Sequence, residues 1–99
     1  MKLSFSRLAY SEFEDAKAYY NLQQEGLGER FKDHIRESTD MIKRFPLLYP
    51  KVTDTLHRVV LHKFPYSLYY TIDKDTVIIV SIAHQHRKPF YRVENISAD

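Results

Sequence analysis

Residues 64–83 read Phe64-Pro65-Tyr66-Ser67-Leu68-Tyr69-Tyr70-Thr71-Ile72-Asp73-Lys74-Asp75-Thr76-Val77-Ile78-Ile79-Val80-Ser81-Ile82-Ala83, two runs of β-branched, aromatic and aliphatic residues around a polar triplet. Residues of this kind fit a pleated, half-buried surface, so Tyr66 to Ile72 and Thr76 to Ala83 are expected as strands. Asp73-Lys74-Asp75 between them predicts a tight hairpin turn with Ile72 opposite Thr76 or close to it. In that register Tyr66, Leu68, Tyr70 and Ile72 share a face with Ile78, Val80 and Ile82, an apolar floor that something must cover. The second run ends in His84-Gln85-His86-Arg87-Lys88-Pro89. A strand held by its core would thus deliver imidazoles and cations to one place, which suits a phosphate-rich partner.

Working back from the hairpin, Thr55 to Leu61 is a third β-rich run, and Leu47 to Asp54, with Pro46 and Pro50, is a connecting loop. Upstream the apolar period changes. Phe31, Ile35, Ser38, Ile42 and Phe45 step by four and three, the stripe of an amphipathic helix that begins near Glu29 and stops at Phe45-Pro46. Ala9, Phe13, Ala16 and Tyr20 make a second such stripe from about Leu8, with Glu12, Glu14, Asp15 and Lys17 facing water. Gly26 closes the first helix in a left-handed conformation and Gly28 loosens the start of the next. Leu3 and Phe5 alternate with polar residues in a short edge or joining strand. The order is strand, two-helix antiparallel hairpin, then a three-stranded antiparallel sheet packed against the helices: an α+β fold.

Ninety-nine residues make one domain, 1–99, and 43% hydrophobic residues with only two glycines supply a core. A domain this small gains stability appreciably from a bound partner. The chain has no cysteine, which excludes disulfides and thiolate metal sites and fits a reducing, cytoplasmic setting. No apolar run reaches the length of a membrane span, and the first residues lack the apolar core of a signal peptide. The formal charge is +2, too near balance to name a nucleic-acid partner. Its distribution is uneven: residues 55–99 hold six basic and four acidic groups with four of the five histidines.

His84 and His86 sit two apart at a strand end. As a metal pair they lack a third ligand, since no spacing nominates one, and no metal or other cofactor is expected. As imidazoles they cap the strand or act chemically. Arg58 alternates with Leu56 and Val60 and so shares a side with two apolar residues. It either pairs with a helix carboxylate or offers its fork to a phosphate. Arg87, Lys88 and Arg92 border Phe90 and Tyr91, a mixture of cations and rings that also holds single-stranded RNA. Tyr19, Tyr20, Tyr66 and Tyr70 are read as core, and Tyr91 alone has a polar surround. No Gly-rich phosphate loop, nucleophile elbow or HExxH is present.

Taken in order, Ala16 to Tyr20, Gly26-Leu27-Gly28 with Phe31, Phe45-Pro46, Tyr49-Pro50, His57-Arg58-Val59, Phe64-Pro65-Tyr66, Tyr69-Tyr70 and His84-Gln85-His86-Arg87-Lys88-Pro89 with Tyr91 resemble the RelE/ParE toxins of type II toxin–antitoxin modules, also called plasmid stabilization proteins. The resemblance covers nearly the whole chain. It implies a helix hairpin on a small antiparallel sheet and a toxin that arrests growth in the cytoplasm. It also implies a cognate antitoxin that wraps apolar grooves beside the helices and sheet in a hetero-oligomer. One branch of the family cleaves mRNA on the ribosome, an endoribonuclease, and this branch is the leading expectation. There His84 would be the base, Tyr91 the acid or a stacking ring, and Arg58 and Arg87 the phosphate clamps, with Lys63, His86, Lys88 and Arg92 on the RNA path. The other branch poisons DNA gyrase without being a nuclease, and a nontoxic antitoxin-binding module is a third reading.

Overall fold

The hairpin is formed by β3 (Tyr66–Asp73) and β4 (Thr76–His84), which pair antiparallel in the computed structural model of the chain; the structure describes residues 1–86. β2 (His57–Val60) pairs antiparallel with β3. β1 (Lys2–Phe5) adds to β4 from the other side, in parallel, giving a four-stranded sheet of order β1-β4-β3-β2. The expected joining strand is therefore a parallel edge strand on an otherwise antiparallel sheet. Helices α1 (Arg7–Gln23) and α2 (Leu27–Arg44) cover one face. The turn is one residue tighter than the sequence suggested: Asp73 stands opposite Thr76 and Ile72 opposite Val77. Lys74 takes the left-handed φ of 56° that this turn requires.

The floor under the helices is half as expected. Tyr66, Leu68, Tyr70 and Ile72 do share a face, but their opposite numbers on β4 are His84, Ile82, Ile79 and Val77. Ile78 and Val80, assigned to this floor by strict alternation, are not on it. The cause is a β-bulge: Tyr69 pairs with Ser81 and Tyr70 with Ile79, so Val80 is the extra residue and the parity of β4 flips beyond it.

Side chains of α1 and its cap hold the bulge. Ser6 caps α1, its Oγ accepting from the Ala9 N–H at 3.0 Å, and the same hydroxyl donates to the Val80 carbonyl at 2.7 Å. The Ser6 N–H donates to the Ile79 carbonyl at 2.9 Å. One turn further on, a single carboxylate oxygen of Glu12 accepts from Ser81 Oγ at 2.7 Å and from the Ile82 N–H at 2.8 Å. Glu12, expected to face water, is instead half-buried against the sheet. An irregular strand leaves backbone donors unpaired, and a carboxylate is the side chain that accepts several of them.

Between the helices Gly26 adopts the expected left-handed φ, 84°, but as the N-cap of α2, since α1 already ends at Gln23 with Gln24 as its extended C-cap. Gly28 has another role than loosening a helix start: it lies within α2, its N–H donates to Asn21 Oδ1 at 2.8 Å, and a Cβ there would come within 2.6 Å of the Asn21 side chain and closer still to the Lys17 carbonyl. The absent side chain lets α1 and α2 touch. α2 buries Phe31, Ile35, Thr39 and Ile42, with Thr39 in place of the expected Ser38 and Phe45 standing outside the helix, exposed. Thr39 tolerates burial because its hydroxyl donates to the Arg36 carbonyl at 3.0 Å. The core centres on Phe31, whose ring lies 5.2–5.9 Å from those of Phe13, Tyr20, Phe64 and Tyr66. Tyr20, Tyr66 and Tyr70 belong to this layer, whereas Tyr19 points outward.

Candidate functional site

The strand end that the sequence singled out is built by Gln85 as much as by the histidines. Its side-chain amide donates to the carbonyls of Leu61 (3.1 Å) and Tyr66 (2.8 Å), and its backbone N–H donates to the Pro65 carbonyl at 2.7 Å. Three bonds thereby fasten the turn between β2 and β3, with exposed His62 and Lys63 at its tip, to the end of β4. His84 lies with its ring 5.1 Å from Tyr66 and 5.5 Å from His86. Its Nδ1 accepts the His86 backbone N–H at 3.1 Å. An imidazole that accepts at Nδ1 carries its proton on Nε2, so in this arrangement Nδ1 is committed to the backbone.

Arg58 is exposed on β2 opposite Tyr69, while His84 stands opposite Tyr66. Tyr66 and Tyr69 are three residues apart on a regular stretch of β3 and point to opposite faces. Arg58 and His84 are therefore on opposite faces of the sheet: His84 on the helix side, Arg58 on the other. Arg58 shares its face with Val60, as read, but Leu56 is buried. Its neighbour His57 is buried instead, stacked at 4.8 Å on Tyr70, with Nδ1 donating to the Tyr49 carbonyl at 2.7 Å. Lys63 and His86 lie at the Gln85-fastened end, and Arg87, Lys88, Tyr91 and Arg92 lie outside the described residues. Among the described residues no three histidine or carboxylate side chains gather as a metal-ligand set, and no helix is long and apolar enough to cross a membrane.

Glu12 and Tyr70 carry displaced pKa values. Burial raises the Glu12 carboxyl above its ordinary range, against the pull of the Ser81 and Ile82 hydrogen bonds. Burial, with Tyr49 nearby, pushes the Tyr70 phenol up to about 12, and its hydroxyl donates to the Pro46 carbonyl at 2.5 Å. Both groups fasten the fold. Neither lies among the residues proposed for chemistry.

Sequence reading missed one concavity. Leu3 and Phe5 of β1, Tyr10 and Phe13 of α1, and Ile35 and Thr39 of α2 line a groove of about 400 Å³, with Lys32, Arg36 and Asp40 at its rim. Alternation places Phe5 only in a short strand and the stripe of α1 passes over Tyr10, so no local pattern brings the two rings together. Phe5 and Tyr10 remain exposed because no element of the described chain lies over them. β1 is an edge strand, so its outer hydrogen-bonding groups lie beside this groove.

Comparison with known families places residues 3–89 on the family described as ParE toxin of the type II toxin–antitoxin system parDE. The structure of a chromosomal ParDE toxin–antitoxin system from P. aeruginosa superposes with a TM-score of 0.63 at 14% identity, over 85% of this chain and 95% of that one. The isolated E. coli RelE toxin superposes with a TM-score of 0.65 at 16% identity, over 98% and 94%. At such identities the likeness is one of fold. No curated protein matches the chain.

Proposed function

Since the chain belongs to the ParE toxin family of type II toxin–antitoxin systems, with the RelE-like α+β fold, we propose that it arrests growth by holding DNA gyrase in a poisoned state and does not cleave RNA. The observation that carries this reading is the placement of Arg58 and His84 on opposite faces of the sheet. Cleavage by an internal 2′-hydroxyl needs a base, an acid and cations within reach of one phosphate. A guanidinium and an imidazole separated by the thickness of a sheet do not meet that demand, and the His84 Nδ1 lone pair is already engaged. Poisoning a protein target requires complementary surfaces only, and tolerates the dispersal seen here.

Membership in the family implies an antitoxin partner. The groove between β1, α1 and α2 supports a dock for it: an apolar floor, a mixed-charge rim and an adjacent strand that is the edge of the sheet among the described residues suit an amphipathic segment that lays apolar side chains into the groove. Phe5→Ser with Tyr10→Ser removes two exposed rings from its wall and should weaken antitoxin binding at least tenfold, leaving growth arrest intact but no longer neutralised.

The target itself is tested in two purified reactions. Relaxed plasmid with gyrase and ATP should accumulate cleaved or unsupercoiled DNA on adding the toxin, while mRNA on stalled ribosomes keeps its 5′ ends. Cuts in the ribosomal A site that disappear with His84→Ala would reverse the proposal and make the nuclease the function.

A further inference from the structure

The loop that leaves α2 is unusual in combining rigidity with apolar exposure. Residues 41–53 read Met41-Ile42-Lys43-Arg44-Phe45-Pro46-Leu47-Leu48-Tyr49-Pro50-Lys51-Val52-Thr53, with three cations and no acid, Asp40 and Asp54 standing just outside. Leu47 is 77% exposed, Leu48 62% and Phe45 49%. Isolated exposed leucines are ordinary on a protein surface. Here Phe45, Leu47 and Leu48 lie in one turn closed by a backbone hydrogen bond, and along the chain on either side of this elbow stand Met41 and Val52, also exposed, with exposed Lys43, Arg44 and Lys51.

Looseness does not account for the exposure. The Tyr70 hydroxyl holds the Pro46 carbonyl at 2.5 Å, His57 Nδ1 holds the Tyr49 carbonyl at 2.7 Å, and the Arg58 N–H holds the Pro50 carbonyl at 3.0 Å. The Leu48 N–H donates to the Phe45 carbonyl at 3.1 Å and the Val52 N–H to the Leu56 carbonyl at 2.7 Å. Two of these clamps, Tyr70 and His57, come from side chains stacked in the core, so the backbone that presents Leu47 and Leu48 is fixed before anything binds. Apolar anchors held in place lose little entropy on docking, which is how a small patch contributes affinity. Asp40 and Asp54 flank the patch, but between them Lys43, Arg44 and Lys51 leave a net positive charge that favours a partner of opposite sign.

We propose that this elbow is the surface by which the toxin engages its target protein, docking against an acidic segment that offers a pocket for Leu47 and Leu48 and carboxylates for Lys43, Arg44 and Lys51. The inference deepens the reading given above, from which it takes only that the target is a protein; it does not require that protein to be gyrase. The elbow leaves out every residue lining the groove assigned to the antitoxin.

The test compares two exposed-surface variants of the full chain, Leu47→Ser/Leu48→Ser and Lys43→Glu/Arg44→Glu, with wild type at matched soluble levels. Three quantities are read: growth arrest on induction, inhibition of purified DNA gyrase, and affinity for the purified cognate antitoxin, which also reports folding. Expected is a loss of at least tenfold in arrest and in gyrase inhibition for both variants, with antitoxin affinity within twofold of wild type. If both variants lose arrest but even wild type leaves supercoiling untouched, the elbow stands as the target surface and gyrase falls as the target. Loss on charge reversal with none on leucine replacement would mean contact with nucleic-acid phosphates and would overturn the proposal. So would wild-type behaviour of both variants, a wild type that arrests nothing, or a matching loss of antitoxin affinity. Should either pair fail to fold, Leu47→Gln and Lys51→Glu, each a single exposed change, replace it with the same readouts.

Discussion

The two faces of the sheet follow different rules. On the helix side Leu68, Tyr70, Val77 and Ile79 are sealed completely, and the polar groups near them are matched: Glu12 to Ser81 and Ile82, Tyr70 to Pro46, His57 to Tyr49. On the other side Arg58 and Val60 are open to solvent, and Tyr69, Thr71 and Ile78 are partly so. A residue's position along the strand therefore says little about its role until its face is known, and one inserted residue, Val80, decides the face for half of β4. The contrast also separates what holds the molecule together from what it can offer to others. Its sharpest consequence is that substitutions on the covered face should be measured in stability and substitutions on the open face in function.

The largest stability effect belongs to the centre of the covered face. Phe31 touches four other rings and is fully buried, so Phe31→Ala opens a cavity beneath both helices and should cost about 3–5 kcal/mol. For a domain whose whole stability is on the order of 5–15 kcal/mol, that brings the chain near unfolding. Urea denaturation followed by far-UV circular dichroism reads it directly. A shift below about 1 kcal/mol would mean that the helix layer is dispensable and that the comparison between faces is misdrawn.

Next comes the buried carboxylate. Glu12→Ala leaves the Ser81 hydroxyl and the Ile82 N–H without their acceptor, and should cost about 1–3 kcal/mol. Glu12→Gln keeps an oxygen for both donors and removes the charge. The sign follows from the raised pKa: an acid whose folded pKa lies above its unfolded value stabilises fully below the unfolded value and loses that contribution as pH rises through the folded one. Wild type should thus lose stability on going from about pH 4 toward neutrality relative to Glu12→Gln, whose stability is flatter over that window. Parallel pH curves for the two proteins would show that Glu12 is solvated after all.

How far the sequence carried can be judged on these same elements. The stripe Ala9, Phe13, Ala16, Tyr20 and the hairpin around Asp73-Lys74-Asp75 were legible because each is a local period broken by a local punctuation. The bulge was not, because nothing in Ile78-Ile79-Val80-Ser81-Ile82 marks which of five β-formers is unpaired; that is settled by Ser6 and Glu12, more than sixty residues upstream. Glu12 was hidden for the same reason, since a glutamate between two stripe positions reads as solvent-facing until a strand with orphan donors is laid against it. Among candidate site residues, Arg58 was placed correctly beside Val60, but the face shared by those two residues is the open one, and Leu56, just before β2, is buried. The groove was illegible because it needs β1 to lie parallel to β4, a pairing that no short-range pattern encodes.

A smaller effect sits at the loop clamp. Tyr70 keeps its proton in the fold up to about pH 12, against 10.0 for an ordinary phenol, so this contribution is fully present below about pH 10 and lost between the two values. Tyr70→Phe removes the bond to Pro46 and should cost about 1 kcal/mol at neutral pH while abolishing that alkaline step. Ultraviolet titration of the phenols against unfolding separates the two. A fully normal titration of all tyrosines in the folded protein would place Tyr70 at the surface and loosen the elbow it holds.

The smallest effect is the most telling about the two faces. Arg58→Ala alters an exposed side chain and should change stability by less than about 0.5 kcal/mol. Its interest lies in combination with His84→Ala. If a phosphate were gripped between the guanidinium and the imidazole, removing one group would leave little for the other to lose, and the double variant would fall far short of the summed losses. With the groups on opposite faces no shared ligand connects them, and the two substitutions should add, with a coupling in growth arrest below about 0.5 kcal/mol once toxin levels are matched. A coupling several times larger would mean that one phosphate reaches both sides of the sheet edge, and RNA cleavage would again become the function these residues support.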